Sequence, residues 1–154
     1  MEIVFAGMTE LAAAIRSKQV SAVEVLEAHL AQIERHNPAL NAVVIMDADG
    51  ARRRAREADA ALARGKSWGP LHGVPFTLKD AHATAGMRTT AGIPPLDHVP
   101  TEDSTITARL KAAGGILVGK TNVNMGDFQT NNPIFGRTNN PWNVERTPGG
   151  SSGG

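Results

Sequence analysis

Three short apolar runs, Ala42-Val43-Val44-Ile45-Met46, Val74-Pro75-Phe76-Thr77-Leu78 and Ile116-Leu117-Val118, are separated by stretches of helical periodicity. This alternation restricts the fold more than any other feature. Short apolar runs of this kind, bounded by polar and glycine residues, read as buried strands. Helices that lie between such strands in sequence must cover the sheet they form, which predicts an α/β fold.

The helices carry their own signals. Thr9 is placed to cap a short helix through Leu11 and Ile15. Ser21 followed by Glu24 forms a capping box that opens a second helix to about His36. There Val23, Leu26, Leu30 and Ile33 recur on one face, and Asn37-Pro38 is the stop signal. Asp47 or Asp49 caps a third helix from about 51 to 63, and Asp103 or Ser104 a fourth through Ile106, Leu110 and Ala113, with Gly114-Gly115 as its stop. Arg52, Arg53, Arg54 and Arg56 lie within a turn of Glu57 and Asp59, which predicts a solvated, charge-paired helix face. A phosphate-binding patch is the functional alternative there. The sequence changes style near Lys66, from helical (1–66) to glycine-punctuated (67–154), and residues 122–142 read as ordered loops.

Composition narrows the chemistry by exclusion. Lys and Arg number 16 against 15 Asp and Glu, so charge implies no nucleic-acid partner and no membrane surface. No apolar run has the length of a membrane span and the amino end lacks a signal-peptide pattern, so a cytoplasmic location is expected. Without cysteine there is no disulfide, no thiolate metal site and no cysteine nucleophile. His36, His72, His82 and His98 are scattered without zinc spacing, and no metal or cofactor is expected.

Two stretches remain for chemistry. Lys79 follows the run 74–78, at the carboxyl end of a strand where α/β sheets build their sites. A lysine partly desolvated there can act as a base in its neutral form; a surface pair with Asp80 is the alternative. The second stretch, Gly149-Gly150-Ser151-Ser152-Gly153-Gly154, sets two hydroxyls in a backbone free to approach a ligand closely. It lacks the Gly-Lys-Ser/Thr ending of a phosphate loop. It satisfies Gly-x-Ser-x-Gly at Ser151, the elbow of an α/β-hydrolase, although the lead-in 143–148 is not strand-like. A flexible linker is the plain alternative.

Taken in order, these stretches resemble the amidase signature family. Gly-Pro-Leu-His-Gly-Val-Pro-Phe-Thr-Leu-Lys-Asp (69–80) is similar to its lysine motif. Residues 89–92, 103–105, 110–115, 119–122 and 135–143 resemble its intervening segments, and 147–154 its glycine-serine block. The resemblance implies a mixed β-sheet core flanked by helices, of which this chain is the N-terminal part. It implies amide hydrolysis through an acyl-serine intermediate, without cofactor or metal, by a Ser–cis-Ser–Lys triad. Lys79 would be the base, and Ser151, after a cis Gly150-Ser151 peptide, the bridge. Ser152, Gly150, Gly149, Met125 and Gln129 would support the site or face the substrate.

The family's nucleophile and oxyanion-hole amides come from a second glycine-serine segment, which the resemblance places after Gly154. The expectation is therefore an incomplete chain, inactive alone, whose partners are a small-molecule amide and either a second copy or the remainder of an amidase. An amidotransferase subunit is the narrower variant. A non-catalytic, partner-binding fragment is the alternative from another class.

Overall fold

The computed structural model describes residues 2–126 and 131–154. They include helices α1 (Met8–Arg16), α2 (Ala22–Leu40), α3 (Ala48–Ala63) and α4 (Thr105–Ala112), and strands β1 (Val43–Met46), β2 (Pro75–Lys79), β3 (Ile116–Thr121), β4 (Asn131–Asn132) and β5 (Gly136–Arg137). Two compact units share these elements. The first comprises Met1–Ile33, Asp47–Phe76 and Ala108–Val118, the second Glu34–Met46, Thr77–Thr107 and Gly119–Gly154.

In the first unit, Ala51, Ala55 and Ala58 form a stripe of small side chains along α3 that packs with Leu26, Leu30, Ile116 and Val118. A second cluster joins Leu11, Ile15, Val25 and Val74. The Ser21–Glu24 box forms as read, with the Ser21 N–H donating to Glu24 Oε2 at 2.8 Å and the Glu24 N–H to Ser21 Oγ at 3.0 Å. The same helix start receives a further cap from α3. Asp59 accepts the Ala22 N–H on Oδ1 at 2.7 Å and the Val23 N–H on Oδ2 at 3.2 Å. Asp59 is thus no partner for the arginines; Arg52 pairs with Glu27 and Arg54 with Glu57. Removing a carboxylate that satisfies two first-turn N–H groups costs about 1–2 kcal/mol. Asp59→Ala is expected to lower stability by that amount in urea unfolding, with the slope unchanged.

His72, expected in a loop, is fully buried and bonded at both ring nitrogens. Nδ1 accepts the Trp68 N–H at 3.0 Å, which leaves Nε2 to donate to the Ala58 carbonyl at 3.1 Å. The stop of α4 is a Schellman turn. The Gly115 N–H reaches Leu110 O and the Gly114 N–H reaches Lys111 O, with Gly114 at φ +94°.

The three-stranded sheet has the order β1-β3-β2. β1 pairs antiparallel with β3, with Ile45 opposite Lys120 and Met46 opposite Gly119. On the other side, Ile116 N–H donates to Val74 O and Asp80 N–H to Thr121 O, a rising register that makes β2 and β3 parallel. The sheet is therefore mixed, and its middle strand is β3.

Several boundaries differ from expectation. α1 is capped at Gly7, whose N–H donates to Glu10, rather than at Thr9. α2 runs through Pro38 to Leu40. Proline's fixed φ is compatible with a helix and its missing N–H forgoes one bond; the Asn41 N–H still closes the final turn on Asn37 O at 2.7 Å. Asn37 Oδ1 then accepts the Ala42 and Val43 N–H groups and leads the chain into β1. β1 is half-buried rather than buried, because it is an edge strand. β3 continues past Val118 to Thr121, and Ile106 on α4 is exposed while Thr107 is buried.

Candidate active site

The second unit brings the two chemical stretches together. β2 ends at Lys79, half-buried, and Lys79 Nζ donates to Ser151 Oγ at 2.8 Å. The pair is separated by 72 positions in sequence, so only the tertiary fold creates it. The Gly150-Ser151 peptide is cis.

The tip of β3 organises the glycine-serine block. The Asn122 carbonyl accepts the N–H groups of both Gly153 and Gly154 at 3.2 Å. Val123 bridges Ser152 as an antiparallel partner. Asn122 itself is fully buried, its amide donating to Gly136 O and Thr138 Oγ1 and its Oδ1 accepting from Asn132 Nδ2 at 2.6 Å. Gly149 lies at φ +99° with open space where a side chain would stand. Ser151 is therefore fixed from both sides: by Lys79 at its hydroxyl and by Asn122 and Val123, just past β3, at the backbone that follows.

Asp80 does not pair with Lys79. Its Oδ2 accepts the Thr90 N–H at 3.1 Å and the Thr90 hydroxyl at 2.5 Å. Lys120 Nζ lies 3.4 Å from Asp80 Oδ1 and donates to Thr89 Oγ1 at 2.9 Å. Both charged side chains of this pair are inaccessible to solvent. The sequence does not single out Lys120. Its only signal is a lysine that closely follows an apolar run, in Gly119-Lys120-Thr121-Asn122.

Of the other expected residues, Ser152, Gly149 and Gly150 are exposed, and Met125 is 40% exposed with its N–H on Ala91 O. Gln129 lies outside the described residues. The Gly-x-Ser-x-Gly elbow needs a strand leading into Ser151; residues 139–150 form turns and an isolated Asn140–Asn143 bridge instead. No group of metal-ligating side chains occurs among the described residues.

Beside this region Arg88 Nε and Nη2 donate to the two carboxylate oxygens of Asp97, at 2.8 and 2.5 Å, and the guanidinium lies 5.2 Å from the centroid of the Phe135 ring. The hydrogen bonds from Arg88 hold the Asp97 carboxyl below the usual aspartate range. A carboxyl lowered in the folded state stabilises at neutral pH, and that contribution fades as pH falls through the lowered value. Arg88→Gln is expected to return the Asp97 midpoint toward the ordinary range in a carboxyl 13C NMR titration.

Comparison with known proteins identifies the family and the fold. The Amidase family model matches residues 24–154. A glutamyl-tRNA(Gln) amidotransferase subunit from Acidothermus cellulolyticus is 48% identical over 149 residues, 94% of this chain and 29% of that protein. An acylamidase from Rhodococcus erythropolis is 40% identical over 147 residues, 94% of this chain and 31% of the relative. A crystal structure of a bacterial aryl acylamidase of the amidase signature family superposes with a TM-score of 0.88 at 35% identity, over 97% of this chain and 32% of that one. The chain thus spans about 30% of the length of such relatives. On sequence and on fold alike, it belongs to the amidase signature family.

Proposed function

We propose that this chain carries the proton relay of a serine-type amide hydrolase. The reading rests on one observation above others: Lys79 Nζ and Ser151 Oγ, remote in sequence, meet at 2.8 Å. Neutral Lys79 takes the Ser151 proton, and Ser151 takes the proton of a nucleophilic serine as that serine attacks the amide carbonyl. The C–N bond then breaks, and the amine leaves with a proton returned along the same path. Water enters by the same base and releases the acid from the acyl-serine. Serving as a bridge requires that Ser151 keep one fixed hydroxyl orientation, and its anchoring on both sides supports that role.

The nucleophile and oxyanion donors are assigned to a serine segment beyond Gly154, so the 154 residues alone are expected to be inactive. Gly149, Gly150, Ser152, Met125 and Gln129 are assigned to the substrate side of the relay. The partners are a small-molecule amide and the segment that carries the nucleophile; the compartment is the cytoplasm. The amidotransferase relative favours a second reading, in which the ammonia released from the amide passes on to a charged tRNA. Co-purification of partner subunits would select it.

A fluorophosphonate, which captures activated serines, tests the assignment. The 154-residue chain is expected to remain unlabelled, and a chain extended through the second segment to gain one label beyond Gly154. A label on Ser151 or Ser152 would overturn these roles.

A further inference from the structure

Asp80 has its polar atoms held on every side. Its N–H is on Thr121 O, its carbonyl takes the Ala91 N–H, Oδ2 takes both Thr90 donors and Oδ1 faces Lys120 Nζ. It is also the residue that follows Lys79, and successive residues of an extended chain project to opposite sides. One side thus carries the lysine toward Ser151, the other a fully buried carboxylate.

A buried carboxylate demands a cation. Two cations besides Lys120 sense or adjoin it. Arg88 feels the Asp80 charge but is bound through two nitrogens to Asp97. The other is Lys79 itself, one residue away.

We propose that Lys120 is a positioning residue for the relay: by cancelling the charge of Asp80, it leaves Lys79 to Ser151. This goes beyond the assignment of Lys79 and Ser151, and rests on it. Thr89 and Thr90 complete the device. Thr89 Oγ1 orients the Lys120 ammonium and Thr90 orients the carboxylate, so the buried ion pair is held at both ends. Without Lys120, Asp80 must either capture Lys79 or pull the end of β2 away; either event separates Lys79 from the serine.

The test uses the whole chain with 13C,15N-labelled lysine, the Lys79 Cε–Hε signal being assigned with Lys79→Arg. The quantity read is the displacement of that signal on Ser151→Ala, measured in the parent chain, in Lys120→Met and in the double variant Asp80→Asn/Lys120→Met. The displacement is expected in the parent, lost in Lys120→Met, and regained in the double variant, where no buried charge competes. A merely structural role for Lys120 would leave the double variant no better than the single one.

Retention of the displacement in Lys120→Met overturns the inference, as does its loss in both variants. Should Lys120→Met fail to fold, Lys120→Gln, which keeps a hydrogen-bond donor toward Asp80 but no charge, is read in its place by the same criterion. If that variant does not fold either, the pair is a requirement of the fold and the inference falls. A parent chain whose Lys79 signal ignores Ser151→Ala overturns the relay itself; deviation confined to the variants overturns only the role of Lys120.

Discussion

Lys79→Ala is expected to lower amide hydrolysis by about 10³- to 10⁴-fold while leaving the fold intact. The measurement is kcat on a simple acylamide, in the protein that includes the nucleophile segment. A positioned general base contributes about 10²–10⁴-fold, and in the proposed relay the same group both accepts and returns the proton. Lys79 is half-buried and its Nζ meets the serine hydroxyl, so its truncation removes a hydrogen bond of modest net worth. Ser151→Ala is expected to cost about as much, and the two together scarcely more than either, because members of one relay fail as a unit. Multiplicative losses in the double variant would mean that the two residues act in separate steps. A rise in KM at unchanged kcat for Lys79→Ala would instead make Lys79 a substrate-binding group.

Lys120→Met is expected to produce the largest loss of stability, about 3–5 kcal/mol. The side chain is among the largest fully buried ones, and its ammonium faces a carboxylate that is also shielded from water. Methionine preserves much of the stem's volume, so the cost reflects lost polar partners, the stranded charge of Asp80 first among them, more than a cavity. Asp80→Asn in the same chain removes that charge, and replacing both partners of a buried pair is often near neutral. Urea unfolding of the two single variants and the double variant measures this directly. Equal losses in Lys120→Met and the double variant would show that packing, not charge, is what the pair supplies.

What could be read in advance was whatever local chemistry decides. The Ser21–Glu24 box, the Gly114 stop and the three apolar runs declare themselves within a few residues, and each formed close to where it was read. Lys79 and Ser151 were legible only together with the family resemblance, since each stretch alone had a plain alternative. The hidden features all depend on pairs remote in sequence. Asp59 reads as one more charge on a basic helix until the start of α2 is placed beside it. Lys120 reads as a polar end to a strand, because nothing local says that residue 80 will deliver a carboxylate to it. His72 likewise looks like a loop residue until Ala58 and Trp68 satisfy both nitrogens.

The separation of Lys79 from Ser151 also bears on how the chain folds. Closing a loop of 72 residues carries an entropy cost of roughly 4 kcal/mol, which contacts made earlier must offset. The helix caps and the α4 turn are local and form on sub-microsecond to microsecond scales. The pairings of β3 with both neighbours join segments far apart, and the glycine-serine block docks on β3 only once that strand is in place. Lys79 therefore meets Ser151 among the last contacts to form. A chain still folding, with its amides open to attack, holds the proposed relay unassembled: until Lys79 reaches Ser151, no proton can pass from a nucleophile through that serine to the lysine.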